Sequence, residues 1–233
     1  VKRGLAVGLL ALAGLCTGCQ GPGPVPALEK NDPALGRRLL RSGRWGTPAS
    51  FRTVHRAFLQ IGESELLLNG YLLVRRSGEL RLLARSDMGG VAFEALRSSA
   101  GEVRILKEQL GLQRGPLKRL LAALFELLYF EQPSPGARLV AQPDGALGLV
   151  RWRPNGRSSE LRFDAKGRRI AALRCAGGRV TLRADFDDLR PSEDSVMPWQ
   201  IELRDEAADL RLSIQVLSLE AAPLADRLFK EQP

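Results

Sequence analysis

From Phe51 onward the chain alternates apolar and polar side chains in short runs, broken by turns that contain glycine. The runs Phe51–Ile61, Glu65–Arg75, Glu79–Arg85, Val91–Leu96 and Val103–Lys107 read as strands, because a period of two puts alternate side chains on one face. In the second run Leu66, Leu68, Leu72 and Val74 share a face, with Gly70 between them. Leu80 and Leu82 oppose Glu79, Arg81 and Arg85, and Val103 and Ile105 oppose Arg104. Closely spaced turns of this kind mark antiparallel pairing, and a wet face opposite an apolar one marks a sheet covered on one side.

At Pro116 the period changes. From there to about Tyr129 the spacing predicts a helix, opened by a proline at a position that tolerates it. Lys118, Arg119, Ala122, Glu126 and Tyr129 fall in one narrow arc, and Leu117, Leu120, Leu121, Leu124, Phe125, Leu127 and Leu128 occupy the rest. So wide an apolar arc needs cover on more than one side. The segment is too short for a bilayer span, so it is expected to plug or cover an apolar sheet. Strands then resume at Ala146–Arg153, Ser158–Phe163, Arg168–Leu173, Arg179–Phe186, Gln200–Arg204 and Asp209–Leu219. A short amphipathic helix over Ala34–Arg41 and a helical turn from Pro223 to Phe229 bracket the pattern. No fixed-period repeat appears, which disfavours a propeller or solenoid. The expected class is α+β, a mostly antiparallel sheet of about eleven strands covered by short helices, in one domain over residues 34–233.

The first 33 residues obey different rules. Lys2 and Arg3 precede an uncharged apolar stretch, Gly4 to Leu15, whose 12 residues are too few for a ~30 Å hydrocarbon core at ~1.5 Å per residue. That is the anatomy of a secretory leader. Leu15-Cys16-Thr17-Gly18-Cys19 then resembles the lipobox of bacterial lipoproteins, with Cys16 where leucine is usual. The resemblance implies a leader over residues 1–18 and lipid on Cys19, a diacylglyceryl group with palmitate-type chains, enough for stable anchoring. Cleavage at Cys16, or an ordinary secretory cut nearby, are the alternatives. Gly21-Pro22-Gly23-Pro24-Val25-Pro26 follows as a semi-extended tether within residues 19–33. Gln20 is not the aspartate associated with inner-membrane retention, so the resemblance favours the periplasmic face of the outer membrane over the inner membrane.

Composition changes this picture little. Of 233 residues 35 are basic and 26 acidic, a net charge of +9, but only 6 of the basic ones are lysine. The arginines are scattered singly or in pairs through the strands without aromatic interleaving, the pattern of a solvated face, so no nucleic-acid partner is expected. The third cysteine, Cys175, lies in the body; apart from Cys16 and Cys19 at the end of the leader no Cys-x-x-Cys or Cys/His spacing is present, and one pair alone does not support zinc. With Cys19 acylated, the domain is expected to stand on its core without an internal disulfide. His55, the sole histidine, sits within a strand and reads as structural; Asp185, Asp187 and Asp188 read as turn chemistry at a strand end. No nucleophile elbow, phosphate loop or zinc-protease motif is present, so neither catalytic residues, metal ligands nor a cofactor are nominated, and no enzyme is expected.

The order of elements resembles the LolA/LolB-like superfamily: a leading helix, about five strands, an amphipathic helix, then about six strands. Local phrases support it, namely Gly70-Tyr71-Leu72, Met88-Gly89-Gly90-Val91-Ala92-Phe93, Arg162-Phe163-Asp164-Ala165-Lys166-Gly167 and Met197-Pro198-Trp199-Gln200-Ile201. The resemblance covers roughly Phe51 to Phe229 and points to a relative of the lipoprotein sorting factors rather than to the factors themselves. It implies an unclosed antiparallel half-barrel whose apolar concave side is covered by helices. Strand parity nominates Leu66, Leu68, Leu72, Leu80, Leu82, Phe93, Val103 and Ile105 as lining, with Leu121 and Leu124 from the helix. In an open barrel these would bind acyl chains, lipid or a lipoprotein for transport or insertion at the outer membrane. In a closed one they would simply fill the core. A cavity of roughly 300 Å³ or more separates the two readings. The expected partners are the membrane, through the N-terminal lipid, and a hydrophobic ligand or lipoprotein, bound by a monomer. The alternative is an envelope scaffold acting through contacts with other envelope proteins.

Overall fold

A computed structural model describes residues 34, 35, 39, 48–75, 77–109, 111, 114–127, 137–142, 145–192, 195–206 and 208–230. Cys19, the leader, the tether and most of the Ala34–Arg41 helix lie outside them. Ala34, Leu35 and Leu39 are helical, and Leu39 is buried in the core.

Twelve strands form one sheet: β1 (Ser50–Ile61), β2 (Ser64–Arg75), β3 (Leu80–Ser86), β4 (Val91–Arg97), β5 (Val103–Glu108), β6 (Arg138–Ala141), β7 (Leu147–Arg153), β8 (Arg157–Phe163), β9 (Arg169–Ala176), β10 (Arg179–Ser192), β11 (Ser195–Asp205) and β12 (Leu210–Ala221). The order is β5-β4-β3-β2-β1-β12-β11-β10-β9-β8-β7-β6, antiparallel throughout. The chain thus builds outward from β1 to β5, crosses to the far edge, and builds back until β12 closes on β1. Its two edge strands, β5 and β6, are consecutive in sequence, and helix α1 (Arg114–Phe125) lies in the crossover between them. Among the described residues no pairing joins β5 to β6, so the barrel is unclosed.

The expected class and unclosed sheet therefore hold, with one strand more than expected. The additional strand is β6, whose four residues Arg-Leu-Val-Ala are too few to show a period. Strands β10 and β11 also run further than the alternation indicated. Asp187 and Asp188 lie inside β10, not at its end, and Asp188 adopts a left-handed φ of 47°. Ion pairs of Asp185 with Arg183 and of Asp188 with Arg190 hold these acids along the strand.

Helix α1 ends at Phe125 in a π-type turn over Glu126 and Leu127. Its apolar arc is buried as the wheel requires: Leu117, Leu120, Leu121, Leu124 and Phe125 are all at most 4% exposed, while Lys118 and Arg119 face solvent. The helix packs against β5 at one border of the opening. Toward the other, Arg169 of β9 donates to the Leu127 carbonyl, and Arg174 pairs with Glu126 at 2.6 Å. Helix α1 thus spans the unclosed side, tied down on the far half-sheet. The C-terminal turn is a 3-10 helix, Asp226–Phe229, held on β2 and β3. Arg75 stacks on the Phe229 ring at 4.5 Å, and Arg81 donates to the Leu228 carbonyl at 2.8 Å.

Candidate ligand site on the concave face

Register places the inward-facing side chains of β12, β1, β2, β3 and β4 in rows across the sheet. One row runs Val216, His55, Gly70, Ala84, Phe93. On one side of it lies Leu219, Thr53, Leu72, Leu82, Ala95, and on the other Ile214, Ala57, Leu68. The middle row is the shallow one, because glycine and alanine occupy β2 and β3. Gly70 is required there: a Cβ on it would stand 2.3 Å from the Leu83 carbonyl oxygen and 3.1 Å from His55 Nε2. A bulge on β12 opposite Val54/His55 brings Val216 rather than Leu217 into register with the histidine.

Between these rows and α1 lies an apolar cavity of about 50 Å³. The sheet contributes Thr53, His55, Ala57, Leu59, Leu68, Leu72, Leu82, Ala84, Phe93, Ile201, Leu212, Ile214 and Val216; the helix contributes Leu117, Leu120, Leu121, Leu124 and Phe125. Of the ten residues nominated by parity, Leu68, Leu72, Leu82, Phe93, Leu121 and Leu124 are brought together here. The other four face the same side but lie elsewhere. Leu80 and Val103 are buried beyond the Thr53 row, Ile105 is partly buried on edge strand β5, and Leu66 is partly buried opposite Leu59. Ile201 of β11 and Leu212, Ile214 and Val216 of β12 lie outside those nominations, although their alternation is legible in the sequence.

Among the described lining residues, Thr53 and His55 alone carry hydrogen-bonding side-chain atoms, and both are buried. Burial in this apolar setting holds the His55 imidazole down at about 4, so it is neutral at ordinary pH. The structural reading of the histidine thus missed its position in the cavity. None of the described lining residues is charged. Such a surface can accept aliphatic chains, but it offers neither an anion clamp nor an acid–base pair. Among the described residues there is no cluster of three or more His, Cys, Asp or Glu side chains that could hold a metal.

At 50 Å³ the cavity is well under the roughly 300 Å³ of an ordinary ligand pocket, and about a third of the ~150 Å³ that admits benzene. As it stands, then, the concave side is nearly filled by its own helix. Cys175 is buried and disulfide-bonded; its partner, which can only be Cys16 or Cys19, lies outside the described residues, as does the cleavage site on which the expectation of a disulfide-free domain depends. No helix among the described residues is long and apolar enough to cross a membrane.

No family model and no curated protein matches the sequence. Solved structures do match. A LolA superfamily protein from Nitrosomonas europaea superposes with a TM-score of 0.54 at 11% identity, covering 84% of this chain and 97% of that one. A DUF1329 family protein from Desulfovibrio piger gives a TM-score of 0.54 at 12% identity, covering 84% and 95%. The chain therefore has the LolA-like fold: an open antiparallel half-barrel with a helix across its concave side.

Proposed function

We propose that this chain is a lipid-anchored envelope protein that takes up a hydrophobic ligand, an acyl chain, lipid or lipoprotein, under helix α1, for transfer at the outer membrane. One observation carries the reading. The barrel is left unclosed, and helix α1, with its wide apolar arc, packs over a cavity whose described lining residues carry no charge. A cavity of 50 Å³ cannot hold an acyl chain, so the helix must swing aside and the ligand replace its leucines. The LolA superfamily protein with the same fold gives the reading its context. Cys19 would carry the anchor, with the Gly/Pro tract as tether.

The filled cavity favours a second reading, a scaffold that works through protein contacts. Val54, Phe58, Leu67 and Leu217 lie exposed on the outer face of β1, β2 and β12 and suit such contacts. Native mass spectrometry of the full chain purified from the host distinguishes the two. Co-purifying lipid that is lost in Leu68→Arg and Leu82→Arg variants, with the fold retained, supports the carrier. Ligand-free protein that takes up no fluorescent fatty-acid probe at micromolar concentration sinks it in favour of the scaffold.

A further inference from the structure

Among the described residues that line the cavity all but two are apolar, and those two stand two positions apart on one strand. Thr53 and His55 both point inward from β1, roughly 7 Å apart along the strand by its rise per residue. Space is kept beside them. Gly70 and Ala84 lie next to His55 on β2 and β3, and the imidazole occupies ground that a side chain on Gly70 would take. A core position whose only task was to fill space would gain from leucine or valine here, since burying a polar group without a partner is unfavourable. The hydroxyl and the imidazole can each donate and accept one hydrogen bond.

We propose that Thr53 and His55 form a polar subsite for the carbonyl oxygen of a neutral acyl ester, whose hydrocarbon chain lies along the Leu68, Leu72 and Leu82 surface. This rests on the hydrophobic-ligand reading and names its ligand class. An ester carbonyl fits because it needs a donor and brings no charge. A free carboxylate would be desolvated with no cationic side chain among the described lining residues to offset it. The imidazole is itself neutral here, so it supplies a donor without a charge.

The test uses the full chain and three probes with the same sixteen-carbon chain: a monoacylglycerol, the matching alkyl glyceryl ether, which lacks only the carbonyl, and the free fatty acid. Titration calorimetry at pH 7 should show the ester binding about ten-fold more tightly than the ether, the scale of one buried hydrogen bond. His55→Phe and Thr53→Val should lose most of that preference while the ether binds as before, and His55→Gln should retain part of it. Thermal melts establish that each variant is folded. An ester preference that survives both His55→Phe and Thr53→Val overturns the subsite and leaves the carrier standing. So does tightest binding of the fatty acid. If none of the three probes binds the unmutated domain, the carrier reading itself fails and the subsite with it.

Discussion

Leu121→Ala removes three carbon atoms from the centre of the interface between α1 and the sheet, where Leu121 is 1% exposed and lines the cavity. At ~0.8 kcal/mol per buried carbon group the transfer loss is about 2.4 kcal/mol. If roughly 50 Å³ of the vacated space stays unfilled, the cavity adds about 1.2 kcal/mol at ~24 cal/mol per Å³. The variant should therefore be less stable by about 3–4 kcal/mol, which a domain of ordinary stability survives. With a urea slope of ~2 kcal/mol per M, the midpoint falls by about 1.5–2 M. Ligand binding should move the other way, because each methylene that fits without displacing the helix improves affinity by about four-fold. Urea denaturation and a fluorescent fatty-acid titration on the same sample read both effects. An unchanged midpoint would mean that α1 is not packed as described. A lowered midpoint with unchanged or weaker uptake would refute the concave face as the ligand site.

Gly70→Ala should destabilise by about 1–3 kcal/mol in a circular-dichroism melt, since the new Cβ meets the Leu83 carbonyl, a backbone atom that cannot step aside. An undiminished melting temperature would show that the sheet is not held that tightly at His55. The pH dependence follows from the same histidine, the one titratable group among the described lining residues. Its folded pKa of about 4 lies below the ordinary 6.5, so the unfolded chain binds the extra proton and stability falls as pH drops from about 6.5 to about 4. The loss is roughly 3 kcal/mol at most, and His55→Phe should remove that component from the urea midpoints measured at pH 7 and 4.5. For the anchor, the N-terminal peptide of membrane-extracted protein should carry a diacylglyceryl group on Cys19. Recovery of Cys19 in a disulfide with Cys175 would exclude it.

The fold was legible where side chains alternate and the glycine turns punctuate them, which is most of β1–β5, β7–β9 and β12. It was not legible at β6, where four residues carry no period, nor along the outer parts of β10 and β11, where Pro191 and Pro198 interrupt the pattern of otherwise good strand sequence. Parity alone correctly assigns a side chain to the inner face, but it cannot say how far along that face the helix sits. Leu80 and Leu82 have identical parity, yet only Leu82 lines the cavity, because depth is fixed by the register with β2 and by where α1 crosses. The same limit hid His55. A lone histidine between Val54 and Arg56 gives no sequence signal of what faces it, and only the pairing with Gly70 and Val216 reveals its place.

The small cavity and the unclosed barrel look contradictory until their energies are compared. Opening α1 exposes Leu117, Leu120, Leu121, Leu124 and Phe125, each worth about 1.5–3 kcal/mol when buried, so roughly 8–15 kcal/mol as an upper bound. An acyl chain returns ~0.8 kcal/mol per methylene, or about 12 kcal/mol for sixteen carbons. The two sums are of the same size. A long chain can therefore exchange with the helix near balance, and a short one cannot open it at all. Near balance, small polar terms decide direction. One hydrogen bond from Thr53 or His55 to a ligand carbonyl, about 1 kcal/mol net, is enough to tip the exchange. On this account the helix is a competitor for its own site, and the leucines that make the closed domain stable also set the minimum chain length that it accepts.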